Sequence, residues 1–318
     1  MPATIRLPWG LQRRLESASV DFLQSRETHR IEFSRPHGEE ALVPPSSVSW
    51  RIFKNPISLF IGGVAAVILE LAEPAVRSGV WEHSTFRTDP LSRLRRTGLA
   101  AMVTVYGARS LAEPMIARIV RMHSRVAGET PGGGAYRAND PRLLSWVHTT
   151  AAFGFAEAYS QYVEPLSQSD FDSLYREGSP AAQLYGAVDS PLSQRSVRAL
   201  FDSMDDRLEA SDIVFRFLQI MRDTPAFPKP FQWMQQIMVR AAVDIVPYSI
   251  RNVLGLDESY GLRLRERWLV KMAANTADRI VLKESPAAQS CLRLGLPVTY
   301  LYDVAASRKR TRVPPPDM

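Results

Sequence analysis

The chain has 318 residues, 45% of them hydrophobic and 23% charged, which is the balance of a folded globular protein and excludes a disordered or fibrous one. Its single cysteine, Cys291, excludes an intramolecular disulfide and any Cys-x-x-Cys metal or cluster site. Of the net charge of +6, four positive residues (Arg308, Lys309, Arg310 and Arg312) sit in a proline-terminated tail, so no basic stripe is left to bind nucleic acid.

Residues 1–49 read as an arm punctuated by Pro2, Pro8, Pro36, Pro44 and Pro45, with a short helix expected over Leu11–Gln24. Arg13, Arg14, Glu16, Asp21 and Glu27 interrupt any apolar run near the start, unlike a secretory signal, so a cytoplasmic location is the expectation. From Trp50 the pattern takes a helical period. Ile61, Val64, Ile68, Leu71, Ala75 and Gly79 recur at three- and four-residue steps, predicting a long helix that Pro74 kinks or restarts. Its uncharged run, Asn55–Leu69, is 15 residues, or about 22 Å as a helix, short of the roughly 30 Å of a bilayer core. A buried helix is expected and no transmembrane segment, although peripheral membrane contact stays open.

Asp89-Pro90 has the N-cap and first-turn chemistry of a helix running to Tyr106 and stopping at Gly107. The next helix is expected over Ser110–Val126, with Ile116, Ile119, Val120, His123 and Val126 on one face and Gly128 ending it. Gly128–Ala135 reads as a loop, and Asp140-Pro141 opens a helix carrying Trp146, His148, Ala152 and Phe155. Further helices are expected over Gln168–Glu177, Ser193–Arg207, Ile213–Asp223, Gln232–Ile245, Ser249–Leu254 and Tyr260–Ala273, with Pro225, Pro228, Pro230 and Pro247 between them. No strict alternation persists, so the fold class is all-α: a single large multi-helix domain over residues 50–303, followed by a basic, Pro-rich tail over 304–318.

Of five histidines, His29 and His37 lie in the arm, where the surface is the natural reading, while His83, His123 and His148 fall in the dense region between Leu71 and Phe155. A lone inward histidine is most often a hydrogen-bonded core residue. Three imidazoles could also hold a non-haem zinc or iron. On the helix between them, Arg93, Arg96, Thr97, Ala100 and Thr104 share a broad face, while Gly98, Ala100 and Ala101 leave room for a flat ligand and either arginine could bind a carboxylate. The plainer reading of that face is exposed arginines with threonines pointing outward. Glu70, Glu73 and Arg77, at i, i+3 and i+7, read as a surface ion-pair set. No paired Glu-x-x-His, Gly-x-Ser-x-Gly elbow, phosphate loop or dinucleotide fingerprint is present.

Five segments in order carry a family resemblance: Gly79–Phe86, Asp89–Thr97, Met122–Gly128, Tyr136–Pro141 and Trp146–Thr150. In these the chain resembles the oxygenase family that includes the rubber oxygenases (latex-clearing proteins) and the fungal mpaB-type oxygenases. The resemblance implies an all-α fold enclosing a haem pocket, with haem b as cofactor and O2 as co-substrate. It implies His123, of His-x-x-Val-x-Gly, as the iron ligand, with His148 as the alternative or a supporting group. Arg93, Arg96 and Thr97 match the family's Arg-x-x-Lys-Thr cluster near the haem, facing propionates or O2. Arg96 stands where relatives have Lys, which keeps the charge and loses a readily titrating group. Where many relatives have Gln-x-x-His-Pro, this chain has Glu70-Leu71-Ala72-Glu73-Pro74. Glu73 is therefore the candidate for the distal side and His83 for positioning. The function implied is a haem-b-dependent oxygenase acting with O2 on a small apolar, lipid- or terpenoid-like substrate, with no electron donor specified. The alternative is a non-catalytic helical protein that binds haem or a hydrophobic ligand.

Overall fold

The computed structural model of the protein describes residues 4–5, 7–23, 31–227 and 231–303, so His29 and the tail expected over 304–318 lie outside the described residues. In chain order the helices are α1 (Trp9–Leu23), α2 (Val48–Phe53), α3 (Pro56–Ala72), α4 (Pro74–His83), α5 (Pro90–Tyr106), α6 (Arg109–His123), α7 (Pro141–Tyr162) and α8 (Gln168–Tyr185). They continue as α9 (Gln194–Met204), α10 (Asp212–Asp223), α11 (Gln232–Ile245), α12 (Tyr248–Val253), α13 (Leu264–Ala277) and α14 (Pro286–Arg293). A short antiparallel hairpin, β1 (Ala127–Glu129) and β2 (Ala135–Arg137), lies between α6 and α7, with Gly128 opposite Tyr136. The fold is all-α.

One chemical device starts five of these helices: a side-chain acceptor followed by proline at the first helical position. Asn55 accepts from Ile57 and Ser58 N–H, Glu73 from Val76, Asp89 from Ser92, Asp140 from Arg142, and Ser285 from Ala288, each ahead of Pro56, Pro74, Pro90, Pro141 or Pro286. Proline gives up an N–H that would be unpaired there anyway and presets φ for the helix. At Pro74 the chain restarts, and α4 leaves α3 at 112°. That bend breaks the single face expected of Glu70, Glu73 and Arg77. Glu73 instead caps α4 at 2.8 Å and meets Arg142 at 3.4 Å, while Arg77 reaches Glu209 at 3.1 Å.

The core is built around α3, which packs along α7 on one side and against α11 on another, with α10 and α13 completing the cover. Ile61, Ala65, Ile68, Leu69 and Ala72 have no exposed surface. The α3–α7 crossing is a contact of backbones: a Cβ on Gly62 would lie 2.7 Å from the Gly154 carbonyl oxygen and from Phe155 Cα, closer than atoms can approach. Among the described residues no single helix is long and apolar enough to cross a membrane, and the bent α3–α4 pair that passes on length and composition together contains this core helix.

Residues 31–47 are packed onto the same core through Phe33, Leu42 and Val43. They are fixed by Arg293 at the end of α14, which is 1% exposed and donates to the carbonyls of Glu39 (2.8 Å), Phe33 (2.8 Å) and Tyr106 (2.7 Å). Three carbonyls thus solvate a buried guanidinium, the condition under which such a group is tolerated.

Several boundaries differ from expectation. The third expected helix stops at His123, because residues 127–137 form the hairpin where only a loop over Gly128–Ala135 was expected. α8 continues past Glu177 to Tyr185 with Pro180 inside it, and ends on Gly186 in the left-handed region at φ 92°. The helix expected from Tyr260 begins at Leu264, after a single 3-10 turn, and α14 has no counterpart in the sequence reading.

Candidate functional site

The helix α5 makes close backbone approaches to α1, α2, α6 and α14, and few to α3, α7 or α8. Side chains span the wider backbone separation between α5 and these three helices. On α3, the residues after Ile61 that keep accessible surface are Gly63, Val67 and Glu70, a stripe at i, i+4 and i+7. Gly63 lies beside the Phe155 ring of α7, 3.8 Å from where its Cβ would be. On α7, half-buried His148 lies beside Gly178 of α8, whose Cβ would be 3.5 Å from the imidazole Nε2. Tyr185 of α8 returns to α5 through a 3.1 Å hydroxyl contact with Thr104. Glu70 and Arg93 close the circuit electrostatically from α3 to α5.

The charged groups of this circuit perturb one another. Burial pushes the Glu70 carboxyl up to about 7, with Arg93 opposing the shift. Burial pulls the Arg93 guanidinium below its ordinary value, and Glu70 opposes that. His123 is lowered by burial and then by the Arg93 charge, and His148 is pulled down to about 4 by burial alone. Both imidazoles are consequently neutral at pH 7 and retain a free lone pair. Among the described residues neither ring has a hydrogen-bond partner, so the carbonyl or carboxylate that usually fixes a ligating imidazole is not in contact with either.

The expected site residues therefore separate into two groups. Arg93, His123 and His148 are half-buried within or beside the circuit, and the Arg93 guanidinium donates to Thr97 Oγ1, which donates in turn to the Arg93 carbonyl at 2.9 Å. Arg96 is exposed and donates instead to Thr85 at 2.6 Å. His83 is exposed at the end of α4, with its ring 6.5 Å from that of Tyr136. Glu73 is 4% exposed and has both oxygens committed, one to the α4 cap and one to Arg142. Among the described residues no three of His, Cys, Asp and Glu come together to share a metal ion, so His83, His123 and His148 do not form the three-histidine set considered from the sequence. Their helices place one at an exposed end, one on a half-buried last turn and one mid-helix.

Sequence reasoning missed Glu70 as the partner of Arg93, and Gly178 and Tyr185 entirely. For Glu70 a signal was available: it is the one charged residue in all of α3. A solitary carboxylate in a helix that apolar is hard to place on an outer face.

Residues 50–277 match the family model described as ER-bound oxygenase mpaB/B'/rubber oxygenase, catalytic domain. No curated protein and no solved structure gives a significant match. Because the matched residues make up well over half of the chain and include every helix of the circuit, the chain belongs to the mpaB/rubber oxygenase catalytic-domain family.

Proposed function

We propose that the protein is a haem-b-dependent oxygenase that uses O2 on a small apolar, lipid- or terpenoid-like substrate, with the haem held in the space between α5 and the α3–α7–α8 surface. The observation that carries this reading is the donor set these helices bring together: neutral imidazoles, one half-buried guanidinium, and glycines at Gly63 and Gly178 that leave the Phe155 and His148 rings without a neighbouring side chain there. A neutral imidazole suits iron, a guanidinium suits a propionate carboxylate, and missing side chains suit a flat macrocycle.

In this reading His123 holds the iron, with His148 as the second candidate, and Arg93 holds a propionate while Thr97 fixes the guanidinium. Bound haem supplies the iron-centred redox chemistry with O2, and the chain supplies position and charge. Glu70 is the group in this circuit able to hold a proton at a carboxylate oxygen near pH 7 and release it there. It takes the place that the sequence suggested for Glu73, whose oxygens are occupied. Arg96 and His83 stand at the rim, beside Thr85 and Tyr136.

The experiment is absorption spectroscopy of protein produced with a haem supply, followed by a pyridine haemochrome assay. A Soret band with near one haem b per chain is expected, lost in His123→Ala and kept in His148→Ala. The opposite pattern moves the ligand to His148, and no porphyrin after reconstitution refutes the reading. Haem without O2 uptake across a reductant and substrate panel selects the alternative, a non-catalytic haem-binding protein.

A further inference from the structure

We propose that the outer face of α13 is a docking surface for an anionic lipid membrane. The helix buries Val270 and Ala274 and turns outward a stripe in which Leu264, Trp268 and Met272 are 88%, 63% and 46% exposed. Their spacing, i, i+4 and i+8, puts all three on one side. Beside them Arg263, Arg265 and Lys271 are exposed. The one acidic residue of the helix, Glu266, is turned to the inner flank, where it pairs with Arg240 at 2.5 Å, and Arg267 pairs with Asp244 there as well. The outward face is therefore apolar and cationic with no carboxylate of its own.

That combination matches a lipid surface better than a protein one. An indole between leucine and methionine sits at headgroup depth, with flanking cations against anionic headgroups. A two-fold pairing with a second copy would bring Arg265 and Lys271 near their own counterparts on a self-complementary patch, a like-charge arrangement with no acid to relieve it. The attachment would be in the plane of the surface, since no helix among the described residues is long and apolar enough to cross. The inference rests on α13 alone and is independent of the haem reading.

The test is sedimentation of the full chain with vesicles of phosphatidylcholine, pure or containing one third phosphatidylserine. Wild type is expected to pellet with the anionic vesicles, and L264S/W268S/M272S to bind at least about tenfold more weakly with an unchanged melting temperature. R265Q/K271Q is expected to weaken binding to the anionic vesicles only. The tail cations Arg308, Lys309, Arg310 and Arg312 stay intact in both variants, so equal binding by the triple variant would assign attachment to the tail and overturn the proposal. Wild type that ignores both vesicles overturns it too, as does a lipid-free dimer that the triple variant converts to monomer. If the triple variant does not fold, W268F with brominated lipids decides: the quenching of wild-type fluorescence must be reduced in that variant.

Discussion

Two regions of α3 lie two turns apart and differ in kind. At Gly62 the helix has no side chain at all, and its backbone meets the Gly154 carbonyl across the crossing with α7. At Glu70 it carries its only charge, desolvated far enough to hold a proton near neutral pH and acted on by the charge of Arg93. One end is shaped by close packing and tolerates no added atom; the other is shaped by electrostatics, where the charge itself is the costly feature. The comparison teaches that rigidity and reactivity here share one element, with the glycine crossing fixing α3 and so fixing where the carboxyl stands.

The largest expected effect breaks the packed end. Gly62→Ala should lower stability by about 3 kcal/mol or more, since the obstructing atoms are backbone and cannot rotate away. Urea denaturation reads this directly, and a loss below about 1 kcal/mol would mean that the helices slide apart cheaply.

The next pair of variants sharpens the polar end, using the chain without haem. His148 takes up a proton near 6.5 when unfolded and only near 4 when folded, so its contribution lowers stability as pH falls through that window. Glu70 keeps its proton up to about pH 7 when folded and loses it near 4.5 when unfolded, so its contribution lowers stability as pH rises through that window. The two slopes oppose each other. Glu70→Gln should therefore gain up to about 3 kcal/mol over wild type at pH 8 and almost nothing at pH 4.5, exposing the acid sensitivity of His148. His148→Leu should flatten the acid side by a similar amount. Denaturation midpoints at pH 4.5, 6 and 8 check both, and parallel pH profiles for wild type and Glu70→Gln would show that the carboxyl is solvated.

The smallest effect separates the two arginines of α5. Arg96→Ala should change stability by no more than about 0.5 kcal/mol, because its bond to Thr85 is exposed. Arg93→Ala should raise the titration points of both Glu70 and His123, which the guanidinium lowers, as read by NMR titration. Identical titration curves for the two variants would remove Arg93 from the circuit.

Much of the helical frame was legible because some of its starts are written locally: Asp89-Pro90 and Asp140-Pro141 each mark a helix in two residues. α14 escaped because its eight residues, with Ala, Gln and Ser among them, give no apolar period to read. The strands escaped because three residues are too few to show alternation. At the candidate site, Arg93 and His123 are candidates by motif position, whereas Glu70 was read by its neighbours along the chain. The charge that acts on it most comes from another helix, and the bend at Pro74 removes Arg77 from its side. Spacing along one helix cannot report a contact made between two.

The clamp around Arg293 also imposes a schedule on the polypeptide. The carbonyls of Phe33, Glu39 and Tyr106 are made early, and the side chain that gathers them is made some two hundred residues later. During synthesis the C-terminal end of α5 and the segment before α2 therefore wait for α14 to emerge before they can lock. Contacts of such sequence separation slow folding, and until they close the surfaces they cover are open to other chains. A nascent chain arrested before α14 should thus be a client for chaperones even with its central helices already paired.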